Sequence, residues 1–357
     1  SQTNYMNKII LLVIPFLIFS CQSQVQMDEV KDDRITQVPA SLIVFQDKAG
    51  NHWFAGNETG VYRYDGQTLT LFGTNDGLCS TKVLGIQEDD KGRIYFDTQD
   101  GICRFDGEHF TPLEVIDSQG DDTNWKLEPG DLWFRSGWDS NGPFRFDGEH
   151  LYHLKFPKNT QERAFREVFP NTPYNPYSVY SIYKDSKGHM WFGTSNLGVY
   201  RFDGETISWM YEDELTNIPG GGSFGIRSVI EDKEGYYWIC NTHQKFDIAS
   251  EAISDKPVDL IQFKELPGAR HPKSGKHEFP YFMSAVVDNE GDLWFLTYEL
   301  GVYHYDGEKM EHFQMKENGQ QIKLFSMYKD NAGVLWLGTH NDGVYFFDGK
   351  EFKRFEV

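Results

Sequence analysis

Cysteine, basic charge and familiar catalytic signatures are what this chain has least of. Four cysteines occur in 357 residues, at Cys21, Cys79, Cys103 and Cys240, and none stands in the close pairing of a metal-binding motif. Lysine and arginine number 34 against 54 aspartates and glutamates, giving a formal net charge of −20. No basic patch offsets that excess, which opposes binding to nucleic acid or an anionic lipid surface, both polyanions. No G-x-S-x-G, H-E-x-x-H or paired C-x-x-C occurs, so no recognised nucleophile elbow or zinc helix is present. Long hydrophobic runs are also missing, except Ile9 to Phe19, which is shorter than the ~20 residues a spanning helix takes.

Aromatic residues are abundant at 16% of the chain, a share that suits strands. Many sit in an internal repeat. The anchors are Trp53, Tyr95, Trp133, Trp191, Trp238, Trp294 and Trp336. Three residues before each stands a glycine: Gly50, Gly92, Gly130, Gly188, Gly235, Gly291 and Gly333. Three residues earlier again stands aspartate in every copy (Asp47, Asp89, Asp185, Asp232, Asp288, Asp330) but the third, where Leu127 replaces it. An aromatic-aspartate pair follows each anchor, as in Phe202-Asp203. Within a copy, four short runs rich in Tyr, Val, Ile, Phe and Trp are separated by turn signals, the pattern of four antiparallel strands. Aspartate opens and glycine closes the first turn, and Asp-Gly chemistry marks the turn between third and fourth strands. The runs are apolar on both faces, so each sheet is covered on both sides. Seven such copies predict an all-β fold: a seven-bladed β-propeller of four-stranded antiparallel blades over 37–357, without strand exchange between the termini. The anchors read as core. Cys103 and Cys240 lie in strand patterns and read as small buried hydrophobes, with no disulfide required.

Residues 1–21 read as a signal peptide, with 1–5 extraneous ahead of Met6. Ile18-Phe19-Ser20-Cys21 resembles a bacterial lipobox. That resemblance implies cleavage before Cys21, lipidation of its sulfur and attachment to the outer membrane of a cell envelope. Residues 22–36 are polar and charged and read as a flexible tether.

The unit Asp185–Gly204, DSKGHMWFGTSNLGVYRFDG, and its copies at Asp288–Gly307 and Asp330–Gly349, resemble the two-component regulator propeller repeat. In that family such propellers commonly form extracytoplasmic sensor portions of hybrid histidine kinases. The sequence given carries no spanning helix, sandwich domain or kinase after the seventh copy, so any signalling would run through a protein partner.

Because strands alternate in direction, the two tight turns share one end of a propeller. The variable loops share the other, where binding sites usually lie. The residues singled out there as ligand-binding candidates are Trp138, Asp139, Tyr177, Arg227, His243, Arg270, Tyr281, Tyr298, Glu299 and His340. Aromatic rings beside charged groups suit a carbohydrate, with rings stacking on its apolar face and charges binding hydroxyls. This predicts an envelope-anchored binding or protein-interaction module, with no cofactor and no metal ligands assigned. The alternative is a lyase or hydrolase like the streptogramin lyases, using His243, His340 and Glu299 as acid–base groups beside a divalent ion; no local motif matches that family.

Overall fold

The first turn of each repeat and its anchor are one hydrogen-bonded unit. In the computed structural model Asp185 Oδ1 accepts the amides of Lys187 and His189, closing the turn, while Oδ2 accepts the indole N–H of Trp191 at 2.8 Å. The same indole bond recurs from Trp53 to Asp47, Trp238 to Asp232, Trp294 to Asp288 and Trp336 to Asp330 at 2.8–2.9 Å. In the second copy, Tyr95 supplies its hydroxyl to Asp89 instead. The spacing D-x-x-G-x-x-W therefore places a buried carboxylate under a buried indole, satisfying a donor the core would otherwise strand.

The structure describes residues 37–357 apart from 57, 118–121, 138, 219–221, 224, 255–257 and 276–280. The signal peptide, Cys21, the tether and Trp138 lie outside the described residues. Among the described residues no helix is long and apolar enough to cross a membrane.

The seven repeats lie in six sheets, two of them sharing one, and two short two-stranded sheets stand beside these. The first runs Ile43–Gln46, His52–Ala55, Val61–Tyr64 and Leu69–Phe72, each strand antiparallel to the last. First strands of successive blades meet at the axis: Tyr328 of the seventh blade donates to the Gln46 carbonyl of the first, and Ser326 donates to Leu42. Each anchor packs onto the next blade, as Trp53 does on Phe96 and Phe105, and Trp336 closes the ring against Phe54. Blades approach closely here. A Cβ on Gly193 would stand 2.3 Å from the Ile226 carbonyl, and one on Gly338 would stand 2.4 Å from that of Leu42. This is why glycine follows the anchor by two residues in those copies.

The first and last blades are each contiguous in sequence, and a single antiparallel bridge between Gln37 and Glu356 joins the chain ends. Two blades depart from the simple expectation. The fourth and fifth merge into one sheet because the long hairpin Gln244–Ile253 and Asp259–Pro267 lies parallel to the outer strand of blade four at Ser208 and Trp209. The third blade has Leu132–Phe134, Phe144–Phe146 and Leu151–His153, but its fourth member is Val115–Asp117, paired in parallel on the outside. Among the described residues no strand fills its axial position. Leu127 sits where other blades have the turn aspartate; the turn here runs from Glu128 to Asp131, whose carboxylate accepts the Glu128 amide.

Cys79 and Cys103 form a disulfide with Cα atoms 5.9 Å apart, and Cys240 is buried and free. This corrects the expectation that Cys103 is a plain buried hydrophobe. The partners are 24 residues apart, and blade two alone brings them together. Closing a loop of that length is worth about 3 kcal/mol. Reductant is therefore expected to lower the melting temperature by several degrees in the native protein and not in Cys79→Ser/Cys103→Ser; a melt indifferent to reductant would count against the bridge.

Candidate functional site at the loop end

The missing strand of blade three has shaped the axis. A cleft of about 390 Å³ lies in its place, lined by Gln87, Leu127, Asp131, Trp133, Ile182 and Lys184. At the loop end the gap is spanned by Arg135. Its guanidinium donates to the Tyr180 carbonyl at 2.9 Å and to the Leu84 carbonyl, tying blade four to blade two. Both carbonyls belong to β-bulges, where the register slips between Val83 and Gly85 and between Val179 and Ser181. Asp97, buried on blade two, accepts the backbone amides of Arg135 and Ser136 at 2.8 and 2.9 Å. Burial raises the Asp97 carboxyl, and the Arg135 charge with the two amides offsets this only in part. Asp97 and Arg135 both stand two residues after an anchor, where Gly193 and Gly338 stand in their copies. Two charged residues at a position otherwise held by Gly, Ala, Cys or Leu were a legible signal that sequence reasoning did not use.

A second group adjoins this one. Arg227 lies over the ring of Tyr180 at 4.9 Å. Phe325 is the bulge residue of blade seven, between Leu324 and Ser326, and His340 meets it edge-on at 5.1 Å. His340 also meets Tyr298 edge-on at 5.5 Å, and the Lys323 ammonium lies 5.9 Å from the Tyr298 ring. The backbone joins them too, since the His340 amide donates to the Lys323 carbonyl at 2.9 Å. Partial burial lowers the His340 pKa, and the positive charges of Lys323 and Arg227 lower it further. Its imidazole is thus neutral near pH 7, an apolar wall rather than a cation.

Of the residues predicted from sequence, Tyr298, His340 and Arg227 come together here. His243 and Tyr281 form a separate stacked pair, rings 4.6 Å apart. Asp139 and Glu299 are exposed. Arg270 is exposed and donates to the Gly275 carbonyl. Tyr177 does not face solvent: it is 2% exposed, donates its hydroxyl to Glu162 and accepts the Asn159 amide. Its role is to pin the loop and helix Gln161–Val168 to blade four. Arg135, Tyr180, Lys323 and Phe325 are the residues of these groups that sequence reasoning missed, Tyr180 and Phe325 hidden at strand starts that read as ordinary core.

The two histidines of the acid–base reading make different ring contacts, His243 with Tyr281 and His340 with Tyr298 and Phe325. Among the described residues one group has the spacing of metal ligands, Asp288, Asp292 and His304, and it belongs to the tight-turn end. It is already an ion-pair network: His304 meets Asp292 at 3.1 Å, Lys233 meets Asp292 at 2.9 Å, and Asp288 holds the Trp294 indole.

These features define a β-propeller with its variable loops gathered at one end. Residues 173–196 match the family model described as two component regulator propeller, so the chain carries that repeat. Solved structures agree on the fold. The extracellular domain of BT4673 from B. thetaiotaomicron, a hybrid two component system by its designation, is 20% identical with a TM-score of 0.54, covering 87% of this chain and 38% of that one. PorZ of Porphyromonas gingivalis, a surface component of the type-IX secretion system, is 16% identical with a TM-score of 0.54, over 87% and 46% of the two chains. Virginiamycin B lyase from Staphylococcus aureus is 12% identical with a TM-score of 0.58, over 86% and 94%. At these identities the likeness is one of fold, and the chain spans less than half the length of the first two. No curated protein matches the sequence.

Proposed function

We propose that this protein is an envelope-anchored, sensor-like binding module that recognises a saccharide at the loop end of the propeller. The observation that carries the reading is the ring cluster of Tyr298, His340 and Phe325 at the loop end, with the Lys323 ammonium 5.9 Å from the Tyr298 ring. Rings standing beside hydrogen-bonding groups fit the apolar faces and hydroxyls of a sugar, and a rigid ring of blades holds them in place before binding. Export and lipidation at Cys21 would present this face outside the cytoplasm. The Cys79–Cys103 disulfide supports that, because such bonds persist in oxidising compartments. The likeness to extracellular and surface propellers supports it too. A signal would then pass to an envelope protein partner.

The test is calorimetric titration of the folded protein with an oligosaccharide panel, beside Tyr298→Ala. Losing one stacking ring is expected to weaken the best binder about tenfold, by analogy with aromatic contacts worth ~1–3 kcal/mol. A panel with no binder, or a binder indifferent to Tyr298→Ala, would sink the reading.

A further inference from the structure

We infer that blade six binds a divalent transition-metal ion of the zinc class at the tight-turn end, ligated by Asp288, Asp292 and His304. This site stands independently of the saccharide reading, which concerns the loop end. One ligand atom from each of the three side chains lies within 4.8 Å of the other two. His304 Nε2 is 3.1 Å from Asp292 Oδ2 and 3.9 Å from Asp288 Oδ2. Zinc held at about 2.0–2.2 Å from each ligand puts neighbouring ligand atoms about 3.0–3.5 Å apart, so each side chain closes on it by a shift of under about 1 Å. The carboxylates are already aimed. Asp288 Oδ1 accepts the Glu290 and Asp292 amides of the turn, and its Oδ2 accepts the Trp294 indole. Asp292 turns Oδ1 to Lys233 at 2.9 Å and Oδ2 to His304. The His304 ring lies stacked on Trp294, centroids 4.3 Å apart. Contacts of this kind orient metal ligands before the ion arrives. The three side chains are 13–24% exposed, which leaves the ion a path in.

The other repeats do not carry this set. The third-strand position of His304 is held by Arg63, Arg104, Arg145, Arg201 and Lys245 in blades one to five and by Phe346 in blade seven. The position of Asp292 carries a carboxylate in one other blade, the third, as Asp131. There Arg145 meets Asp131 at 2.6 Å, a fixed cation that neutralises the carboxylate and offers no lone pair. Blade six keeps the carboxylate, retains the turn aspartate that blade three lacks, and puts an imidazole where the guanidinium stood. An imidazole nitrogen is a metal ligand, and a guanidinium is not. Lys233 reaches in from blade five, 45% exposed, and meets Asp292 through the oxygen that His304 does not. Two carboxylates against that one cation favour the arrival of further positive charge. A nitrogen beside two carboxylate oxygens suits zinc and its neighbours, whereas calcium and magnesium take oxygen sets.

The experiment titrates the full chain, free of any affinity tag and cleared of metal by a chelator, with zinc chloride in a calorimeter, beside calcium and magnesium chloride. His304→Gln, Asp292→Asn and Lys233→Gln are run in parallel, with melting curves to check folding. A single tight zinc site per chain is expected, with a melting temperature that rises on zinc addition. Affinity should fall at least about tenfold in His304→Gln and in Asp292→Asn, and rise about threefold in Lys233→Gln, where a competing positive charge is gone. Calcium and magnesium at about hundredfold excess should leave zinc binding in place. Zinc binding of equal strength in both ligand variants would show adventitious binding to surface carboxylates and overturn the site. Absence of zinc binding, or calcium binding as tightly as zinc, would overturn it as well. Should His304→Gln melt early through loss of its stacking on Trp294, Asp292→Asn carries the comparison, since it keeps the shape of the side chain.

Discussion

Replacing Asp185 with alanine is expected to lower the unfolding free energy by about 3–5 kcal/mol, read from the midpoint of urea unfolding at neutral pH. The side chain is fully buried and serves four donors: the Lys187 and His189 amides, the Trp191 indole and, across the blade boundary, the Tyr237 hydroxyl at 2.7 Å. Removing it strands two side-chain donors in the core and opens the turn as well. Asparagine keeps the shape but presents an amide to donors on one side, so it should recover only part of the loss. The pH dependence follows from the same contacts. Burial raises the Asp185 carboxyl, but hydrogen bonds from Trp191, Tyr237 and the His189 amide outweigh it and hold the pKa below the ordinary carboxylate value. The ionised form is thus favoured by folding. Its contribution is complete above the unfolded pKa and is lost as pH falls through the depressed folded value. The gap between native protein and Asp185→Ala should therefore narrow on acidification below about pH 4. A gap that stays constant down to pH 2 would contradict this assignment.

Arg135→Ala should be comparably damaging, by about 3–5 kcal/mol, because it removes the bridge standing where blade three lacks its axial strand. Two bulge carbonyls lose their donor, and Asp97 keeps its amides but loses its counter-charge. Lysine should rescue little, since a point charge on a flexible stem cannot reach carbonyls on two blades as a planar fork does. Hydrogen exchange locates the effect: protection should fall first at Val83–Glu88 and Val179–Lys184, the strands the guanidinium joins. Uniform loss across all seven blades, or none, would show that Arg135 is not the local strut.

The two predictions differ in how far they were visible beforehand. Asp185 and Trp191 stood out as repeat positions, and turn and core were assigned correctly to each; that one bonds the other was not, because a six-residue separation shows no contact until the turn is built. Leu127 was noted as the odd residue of the third copy. Its meaning, an absent strand, depended on Val115–Asp117 having paired outside the blade, which no local pattern announces. At the loop end, Tyr298 and His340 were singled out because they lie in loops where polar and aromatic residues are conspicuous. Tyr180 and Phe325 were not, because a bulge within a strand leaves no mark on an apolar run. Tyr177 misled for the converse reason: it sits in a variable connection, yet its ring is core.

What the sequence determined by itself was the architecture: turn chemistry and blade number follow from local rules applied seven times, and repetition averages out local ambiguity. The tertiary structure alone decided the disulfide, the strut in blade three and the ring cluster of Tyr298, His340 and Phe325. Each joins residues from different strands or blades, 24 positions apart for Cys79 with Cys103 and 45 and 51 apart for Arg135 with Tyr180 and Leu84. Such contacts are set by the closure of the ring, which brings together strand ends that share no local sequence signal.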